Sequence, residues 1–394
     1  VSAPPATVSP RPAGSTTGAA VPARRSLRDR LLDLRDRIYS NPGFQRWAAA
    51  FPLTRPIALS RAHRAFDVAS GFVYTQTLLA CVRLRLLEHV KDGPLPVAEL
   101  ARRTGLPEEG MERLCRAARA AQILEPRSNG DWGLGILGAP FLADATLPML
   151  VEHNAAYYAD LRDPVALLAG DLAGKTILAS YWPYGDAARA ATVESAEASE
   201  YTAIMAATLP PLAEDVIDAY DFGAHRVHMD VGGGEGVFAG MVARRHPELR
   251  GMVFDLPAVA PRARARLEAE GLAGRVSVHG GNFHAEPLPT GADIVSLIRV
   301  LLDHSDASAV ALLTRIRAAL PDRGRLLIAE PISGEPGVER AADLYFGFYL
   351  LAMGRGRCRS LKEHERLLRQ AGFSRVDVAK TRYPFRASLL VAHP

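Results

Sequence analysis

The stretch Val227-His228-Met229-Asp230-Val231-Gly232-Gly233-Gly234-Glu235-Gly236 reads as a hydrophobic strand running into Asp-x-Gly-x-Gly-x-Gly, with a helical pattern behind it. Glycines at a strand-to-helix turn let the backbone pass close to a ligand, because no Cβ stands in the way. The helix that follows aims free N–H groups at that ligand. A nicotinamide fingerprint needs G-x-G-x-x-G/A. Counting from Gly232 and Gly234, the third position is Val237, so that pattern fails. Asp-x-Gly-x-Gly-x-Gly fits S-adenosylmethionine (SAM) better, a nucleoside methyl donor without phosphate.

Outward from this turn, short apolar runs alternate with helical segments. Val227–Val231, Met252–Phe254, Val276–Val278, Ile294–Ile298 and Leu326–Ala329 read as buried strands with crossover helices between them. Such alternation predicts a doubly wound α/β parallel sheet with helices on both faces. A helix over 360–371 precedes Arg375–Ala379 and Leu389–Ala392, expected as a terminal hairpin on the sheet edge.

Ligands of such a sheet sit beyond the carboxyl ends of its strands. Asp255 follows the second strand in Phe254-Asp255-Leu256-Pro257, where a carboxylate can accept both ribose hydroxyls or cap the next helix. Asn282 and Phe283 follow the third strand, an amide for an adenine edge and a ring to stack on it. Arg299 ends the fourth strand, placed to stack on adenine or hold the donor's carboxylate. The expected donor site is therefore Asp230, Gly232, Gly233, Gly234, Asp255, Leu256, Asn282, Phe283 and Arg299.

The rest of the 394 residues suggests several parts. Residues 1–25 are mostly Pro, Ala, Ser, Thr and Gly, too poor in apolar surface to order themselves. Over 26–67 a basic helical extension is expected, with Leu27, Leu31, Leu34 and Ile38 on one stripe. That stripe suits packing against the body or a second subunit, or membrane contact. Asn41-Pro42-Gly43 ends the helix. Residues 68–140 read as an apolar helix over 68–92, a helix, a tight turn, a second helix over 108–123, and a hairpin around Asn129-Gly130, a winged-helix arrangement. Arg113, Arg116 and Arg119 on its second helix could meet DNA, but their spacing equally suits a solvated or paired face, and dimerisation is the favoured role. Residues 141–220 are helical, broken by Pro164, Pro183 and Pro210-Pro211. Their aromatics Tyr157, Tyr158, Tyr181, Trp182 and Tyr184 line an acceptor pocket or fill a core. Residues 221–394 form the SAM-binding domain.

Residues 1–67 carry eleven Arg and four Asp, net +7, and the remainder is net −3. The basic region is a solvated surface or a contact for an anionic membrane face or nucleic acid. No uninterrupted apolar run approaches the roughly 18–20 residues of a membrane span, and no secretory signal pattern appears. Cys81, Cys115 and Cys358 are far apart, without metal-type spacing. A cytoplasmic location, with peripheral contact to the inner or intracytoplasmic membrane, and no metal are expected.

Asp230-Val231-Gly232-Gly233-Gly234-Glu235-Gly236, Phe254-Asp255-Leu256-Pro257, Gly281-Asn282-Phe283, Arg299-Val300-Leu301-Leu302-Asp303-His304, Leu327-Ile328-Ala329-Glu330-Pro331 and Gln370-Ala371-Gly372-Phe373 occur in that order. As an ordered set, from about residue 68 onward, they resemble the SAM-dependent O-methyltransferases with an N-terminal winged-helix dimerisation domain, such as caffeate and acetylserotonin methyltransferases. The resemblance implies a class I methyltransferase fold, SAM converted to S-adenosylhomocysteine, and a homodimer. Asn41-Pro42-Gly43-Phe44-Gln45-Arg46-Trp47, Phe51-Pro52-Leu53-Thr54-Arg55-Pro56 and Asp160–Leu168 resemble the bacterial acyclic-carotenoid enzymes, which methylate the tertiary 1-hydroxyl of demethylspheroidene or hydroxyneurosporene.

The pattern breaks at the chemistry. The family's general base is a His, and Leu302 stands at its position. A family Glu is replaced by Cys358, the other acceptor-side Glu survives as Glu330, and a donor-side Asp is Asn282. A phenol, with a pKa near 10, can give its proton to a His early. An aliphatic alcohol, near 16, must lose its proton late, so positioning dominates. An apolar hydroxycarotenoid therefore suits Leu302 better than a catechol-like phenol does. Asp303, His304 and Glu330 remain as candidate proton acceptors, His153 as a weaker one, and helices from 140–220 and 338–360 would enclose the acceptor. Other acceptors, such as a polyketide phenol or a tetrapyrrole carbon, stay open. So does a non-catalytic SAM-fold or winged-helix regulator, although no nucleic acid is expected as partner.

Overall fold

A computed structural model describes residues 26–181, 203 and 205–394. The tail over 1–25 and the expectations for Trp182, Pro183 and Tyr184, with the Tyr181 side chain, lie outside the described residues. The chain forms two compact units that divide between Thr75 and Gln76.

In the first unit, Ser26 opens the helix Leu27–Tyr39 with a capping box to Asp29. Asn41 both follows that helix and caps the next, Pro42–Ala50, through Phe44 N–H. Tyr39, Phe44, Trp47 and Phe51 form a run of ring contacts 5.3–5.8 Å apart. Leu27, Leu31, Leu34 and Ile38 are exposed.

The unit boundary falls within the helix Arg55–Arg83. This helix starts earlier and ends earlier than the 68–92 expected, because Arg85 turns left-handed at φ 52° before the short helix Leu86–His89. An 18-residue window of it has a mean hydropathy of 1.3, so by length and composition it could cross a membrane. Asp67, Ser70, Thr75, Gln76 and Thr77 interrupt its apolar run, in keeping with the absence of an uninterrupted one, without interrupting the helix.

From Gln76 onward the stretches expected as separate regions are parts of one unit. Helices Val97–Thr104 and Glu108–Ala120 pack with Leu86, Leu100, Met111, Cys115 and Trp132 into a core. The hairpin of β1 (Leu124–Pro126) and β2 (Trp132–Leu134) completes the winged helix. Arg113 pairs with Glu109 and Arg116 with Glu112, so two of the three arginines face solvent with partners one turn away.

The main sheet contains β3 (Val227–Val231), β4 (Arg250–Asp255), β5 (Val276–Gly280), β6 (Ile294–Ile298), β7 (Arg325–Glu330), β8 (Arg375–Ala379) and β9 (Ser388–His393). Its order is β5-β4-β3-β6-β7-β9-β8, with β3 to β7 parallel and β9 antiparallel to both β7 and β8. The terminal hairpin thus closes one edge, as its sequence suggests. Alternate residues face opposite layers. Val295, Leu297, Leu326 and Ile328 meet Leu312, Leu313, Leu367 and Leu368 of the helices Asp306–Ala319 and Leu361–Gln370. Ile294, Ile298, Leu327 and Ala329 meet Leu212, Val216, Phe238 and Val242 of Pro210–Ala219 and Val237–Arg245. The connections reverse direction between β3 and β6, which opens a crevice at their carboxyl ends.

Candidate active site

An open cleft occupies that crevice. All nine residues expected to hold the donor line it, together with Asp303 and His304. Gly234 has φ +56°, and a Cβ built on it meets nothing within 4 Å, so bare backbone faces open space. Beneath the turn, Ser296 donates to Asp230 at 2.6 Å. The Ser296 hydroxyl has one hydrogen, so its 2.8 Å contact with His228 Nε2 requires that nitrogen to donate. Burial then keeps His228 neutral, its pKa pulled down to about 3. Burial pushes Asp230 up to about 7 and the Asp255 charge adds to this, against the Ser296 hydrogen bond.

At the end of β4, one oxygen of Asp255 accepts from Gly234 N–H and the other from Leu256 N–H, each at 2.7 Å. A carboxylate oxygen has two acceptor positions, so each retains one for a ligand hydroxyl. Asp255 does not cap the next helix, Ala260–Ala269, whose N-cap is Val259. Asn282 is buried and its Oδ1 accepts from His284 N–H at 2.9 Å. Phe283 packs against His284 and His304, with centroids 4.5 and 5.4 Å away.

Arg299 sits at φ +56°, unusual for a residue with a side chain. Its guanidinium donates to the Met205 carbonyl at 3.0 Å and to the Thr208 hydroxyl. It therefore ties a helical stretch to the rim of the cleft, a role that sequence did not suggest. Met205, Leu209, Val259 and His284 also line the cleft and were missed. His284 adjoins Phe283 and could have been found; Met205, in a distant helical turn, and Leu209, the N-cap of the helix Pro210–Ala219, carry no motif.

The three candidate proton acceptors separate. Glu330 is buried at the end of β7, away from the cleft lining. One oxygen accepts from Leu302 N–H at 2.9 Å and the other lies 2.8 Å from His364 Nε2. The structure thus gives this Glu a scaffolding position. Burial and the Glu330 charge hold the Asp303 carboxyl well above the usual range, against Arg299. His304 is buried and pulled down to about 3, first by burial and then by the charges of His284 and two arginines. Neither His304 nor Asp303 caps the following helix, whose N-cap is Ser305.

These residues hang on the turn Leu301–Asp303, which is held from behind. Arg359, fully buried, donates to the carbonyls of Leu301 and His304 and to Asp306. Arg357 N–H donates to the Leu302 carbonyl at 2.8 Å. Just before Arg357, Gly356 sits at φ +70°, where a Cβ would stand 2.0 Å from the Leu302 oxygen.

The Leu302 side chain is buried in an apolar cluster with Tyr157, Tyr349, Leu350 and Met353. Cys358 packs there too, its thiol pushed up to about 12 by burial. The cluster joins the helix Thr146–Asp160 to a π-helical turn, Arg340–Phe346, and the helix Gly347–Met353 that continues it. Its tyrosine hydroxyls are satisfied differently. Tyr157 donates to the Tyr345 carbonyl, Tyr345 donates to Asn154 Oδ1 at 2.8 Å, and Tyr349 lies 2.8 Å from His153 Nε2.

Open backbone at Gly234, spare acceptor positions on Asp255 and an aromatic face at Phe283 fit a nucleoside carrying a diol. Nothing in the glycine turn specifies a phosphate. An O-methyltransferase domain matches residues 158–374, and an O-methyltransferase dimerisation domain matches 66–139. The chain is 42% identical to the demethylspheroidene O-methyltransferase of Cereibacter sphaeroides, over 90% of this chain and 93% of that one. It is 38% identical to the corresponding protein of Rhodobacter capsulatus, over 86% and 84%. A solved O-methyltransferase from neocarzinostatin biosynthesis, in complex with SAM and 2-hydroxy-5-methyl naphthoic acid, matches with a TM-score of 0.58 and 26% identity, over 81% and 95%.

Proposed function

The chain belongs to the SAM-dependent O-methyltransferases with an N-terminal dimerisation domain, and from that premise we propose that it methylates the tertiary 1-hydroxyl of an acyclic carotenoid. The dimerisation domain supports a homodimer. When bound, SAM supplies a methyl group on a positively charged sulfur. Asp255 would hold its ribose, Phe283 and Leu256 its adenine, and the Gly232–Gly234 turn its amino-acid end. Leu302 carries the acceptor reading. Where the family has a basic ring, this chain presents an alkyl group embedded among Tyr157, Tyr349 and Met353. An apolar polyene can pack there, and its alcohol needs no early ionisation.

The test is incubation with methyl-labelled SAM and a panel of acceptors dispersed in detergent. Label should appear in the methyl ether of a 1-hydroxycarotenoid. Transfer to a flavonoid or polyketide phenol, with none to the carotenoid, would sink the reading.

A polyene acceptor partitions into membranes, so the enzyme should visit a membrane surface. Leu27, Leu31, Leu34, Trp47, Leu53 and Ile57 are exposed, ahead of the dimerisation match at residue 66, in the region of net positive charge. Apolar residues beside arginines suit an anionic bilayer surface. Sedimentation with anionic but not zwitterionic vesicles, weakened by salt, is the expected result. Failure to bind either removes this contact.

A further inference from the structure

Methyl transfer to an alcohol releases one proton. As the acceptor oxygen's lone pair forms the new C–O bond, the C–S bond breaks and its electron pair returns to sulfur. The oxygen then carries a positive charge until its hydrogen leaves. In this chain the usual receiver is absent, because Leu302 has no basic atom.

The neighbours can be sorted by where a proton could go. Both oxygens of Glu330 are engaged, by Leu302 N–H and His364. Cys358 is held as a neutral thiol. His304 lines the donor cleft and is a weak base. Tyr157 and Tyr345 already point their hydrogens at a peptide carbonyl and an amide oxygen, neither of which can keep one. Tyr349 differs: its partner at 2.8 Å is an imidazole nitrogen. His153 and Tyr349 are both buried, with their rings 5.7 Å apart. Tyr349 shares the apolar cluster with Leu302.

We propose that the Tyr349 hydroxyl, backed by His153, receives the acceptor's proton in place of the base that Leu302 lacks. Tyr349 takes the proton from the methylated oxygen while its own hydrogen passes to His153 Nε2. Tyr349 ends as it began and the imidazole carries the charge. Tyr349 is the catalytic residue of this pair, and His153 positions it and stores the proton. This rests on O-methyl transfer to a hydroxyl, and not on the carotenoid in particular.

Among the described residues, charged and titratable groups flank the pair on several sides. Tyr345 precedes Tyr349 by one helical turn and Tyr157 faces it edge-on. Asp303 and Arg299 act on Tyr349 with opposite sign, from the donor side. Glu152, next to His153, is held by Arg83. Asp303 and Arg299 both line the donor cleft, and Tyr349 lies within reach of their charges.

The experiment compares wild type, His153→Gln and Tyr349→Phe on whichever hydroxylated acceptor of the panel the wild type methylates best. A failed carotenoid reading then shows in the wild-type panel, and a failed relay shows in the variants. Wild-type kcat should fall on acidification, because a protonated His153 cannot take the hydrogen from Tyr349. Both variants should lose about 100-fold or more in kcat, and His153→Gln should also lose that acid limb. SAM affinity by calorimetry should stay within about two-fold, because neither residue lines the donor cleft. Tyr349→Phe keeps the ring and its packing, so it remains informative if His153→Gln fails to fold. Wild-type kcat in Tyr349→Phe, or an unchanged acid limb in His153→Gln, overturns the proposal.

Discussion

His364 Nε2 lies 2.8 Å from Glu330 Oε1, and both side chains are almost completely buried. The other ring nitrogen of His364 faces the Ser360 carbonyl, which can only accept, so it must carry a hydrogen. The contact with Glu330 then needs a second proton, shared between ring and carboxylate. Removing one member of such a pair costs about 3–5 kcal/mol. Glu330→Ala should therefore lower thermal stability strongly, while Glu330→Gln, which keeps an acceptor for Leu302 N–H, should lose less. If Glu330 served the chemistry instead, both variants would lose activity at unchanged melting temperature.

Asp255 organises the donor turn as well as facing the ligand. Asp255→Ala leaves Gly234 N–H without its acceptor and removes the sites for a ribose diol. Hydrogen bonds to a charged group contribute about 1.5–3 kcal/mol. SAM binding measured by calorimetry should weaken about 10- to 150-fold, while the melting temperature without ligand changes much less.

Gly356 tests the wall behind the turn. Alanine there meets both a left-handed backbone and the Leu302 oxygen at 2.0 Å. The turn or the segment must move, at a cost of about 1–3 kcal/mol. Gly356→Ala should lower melting temperature and depress kcat more than it weakens SAM binding. A variant that matches wild type in all three would show that the contact relaxes freely.

Acid should loosen the same wall. Burial favours protonation of Asp306, but hydrogen bonds from Arg359 and Arg366 outweigh it and hold the carboxyl at about 2. Glu363 is also held at about 2, first by the Ser360 backbone N–H and then by the Ser360 hydroxyl and Arg357. Both values lie below those of an unfolded chain, about 4. The stability these groups contribute is complete above that range and disappears as pH falls toward 2. Melting temperature should drop between about pH 4.5 and 2, and Asp306→Asn should flatten the drop. An equally steep profile in the variant would place the acid sensitivity elsewhere.

Sequence revealed most of what period and turn chemistry encode. Five buried strands, the terminal hairpin and the Asn129-Gly130 wing were legible because each has short-range hydrophobic spacing and turn signals. The residues that line the cleft were legible because they follow strand ends, where the fold puts ligands. Arg299 lines the cleft at a strand end, but its bonds to Met205 and Thr208 were invisible, since they join segments over 90 residues apart. Glu330 misled for a related reason: a carboxylate beside the acceptor region looks available until a histidine from a later helix claims it. The 68–92 helix was misplaced at its start because Arg61, His63 and Arg64 broke the apolar pattern without breaking the backbone, and at its end because nothing local signalled the left-handed turn at Arg85.

Arg359 gives the turn Leu301–Asp303 a second allegiance. Its guanidinium holds the carbonyls of Leu301 and His304, and it runs directly into the capped helix Leu361–Gln370. The same turn sends Asp303 into the donor cleft and Leu302 into the acceptor cluster. Neither side can shift its half without the other registering it. Any tightening of the acceptor produced by bound donor must be returned to the donor by the acceptor in equal measure. Calorimetric titrations in the two orders of addition would expose that reciprocity, with Arg359 as its fulcrum.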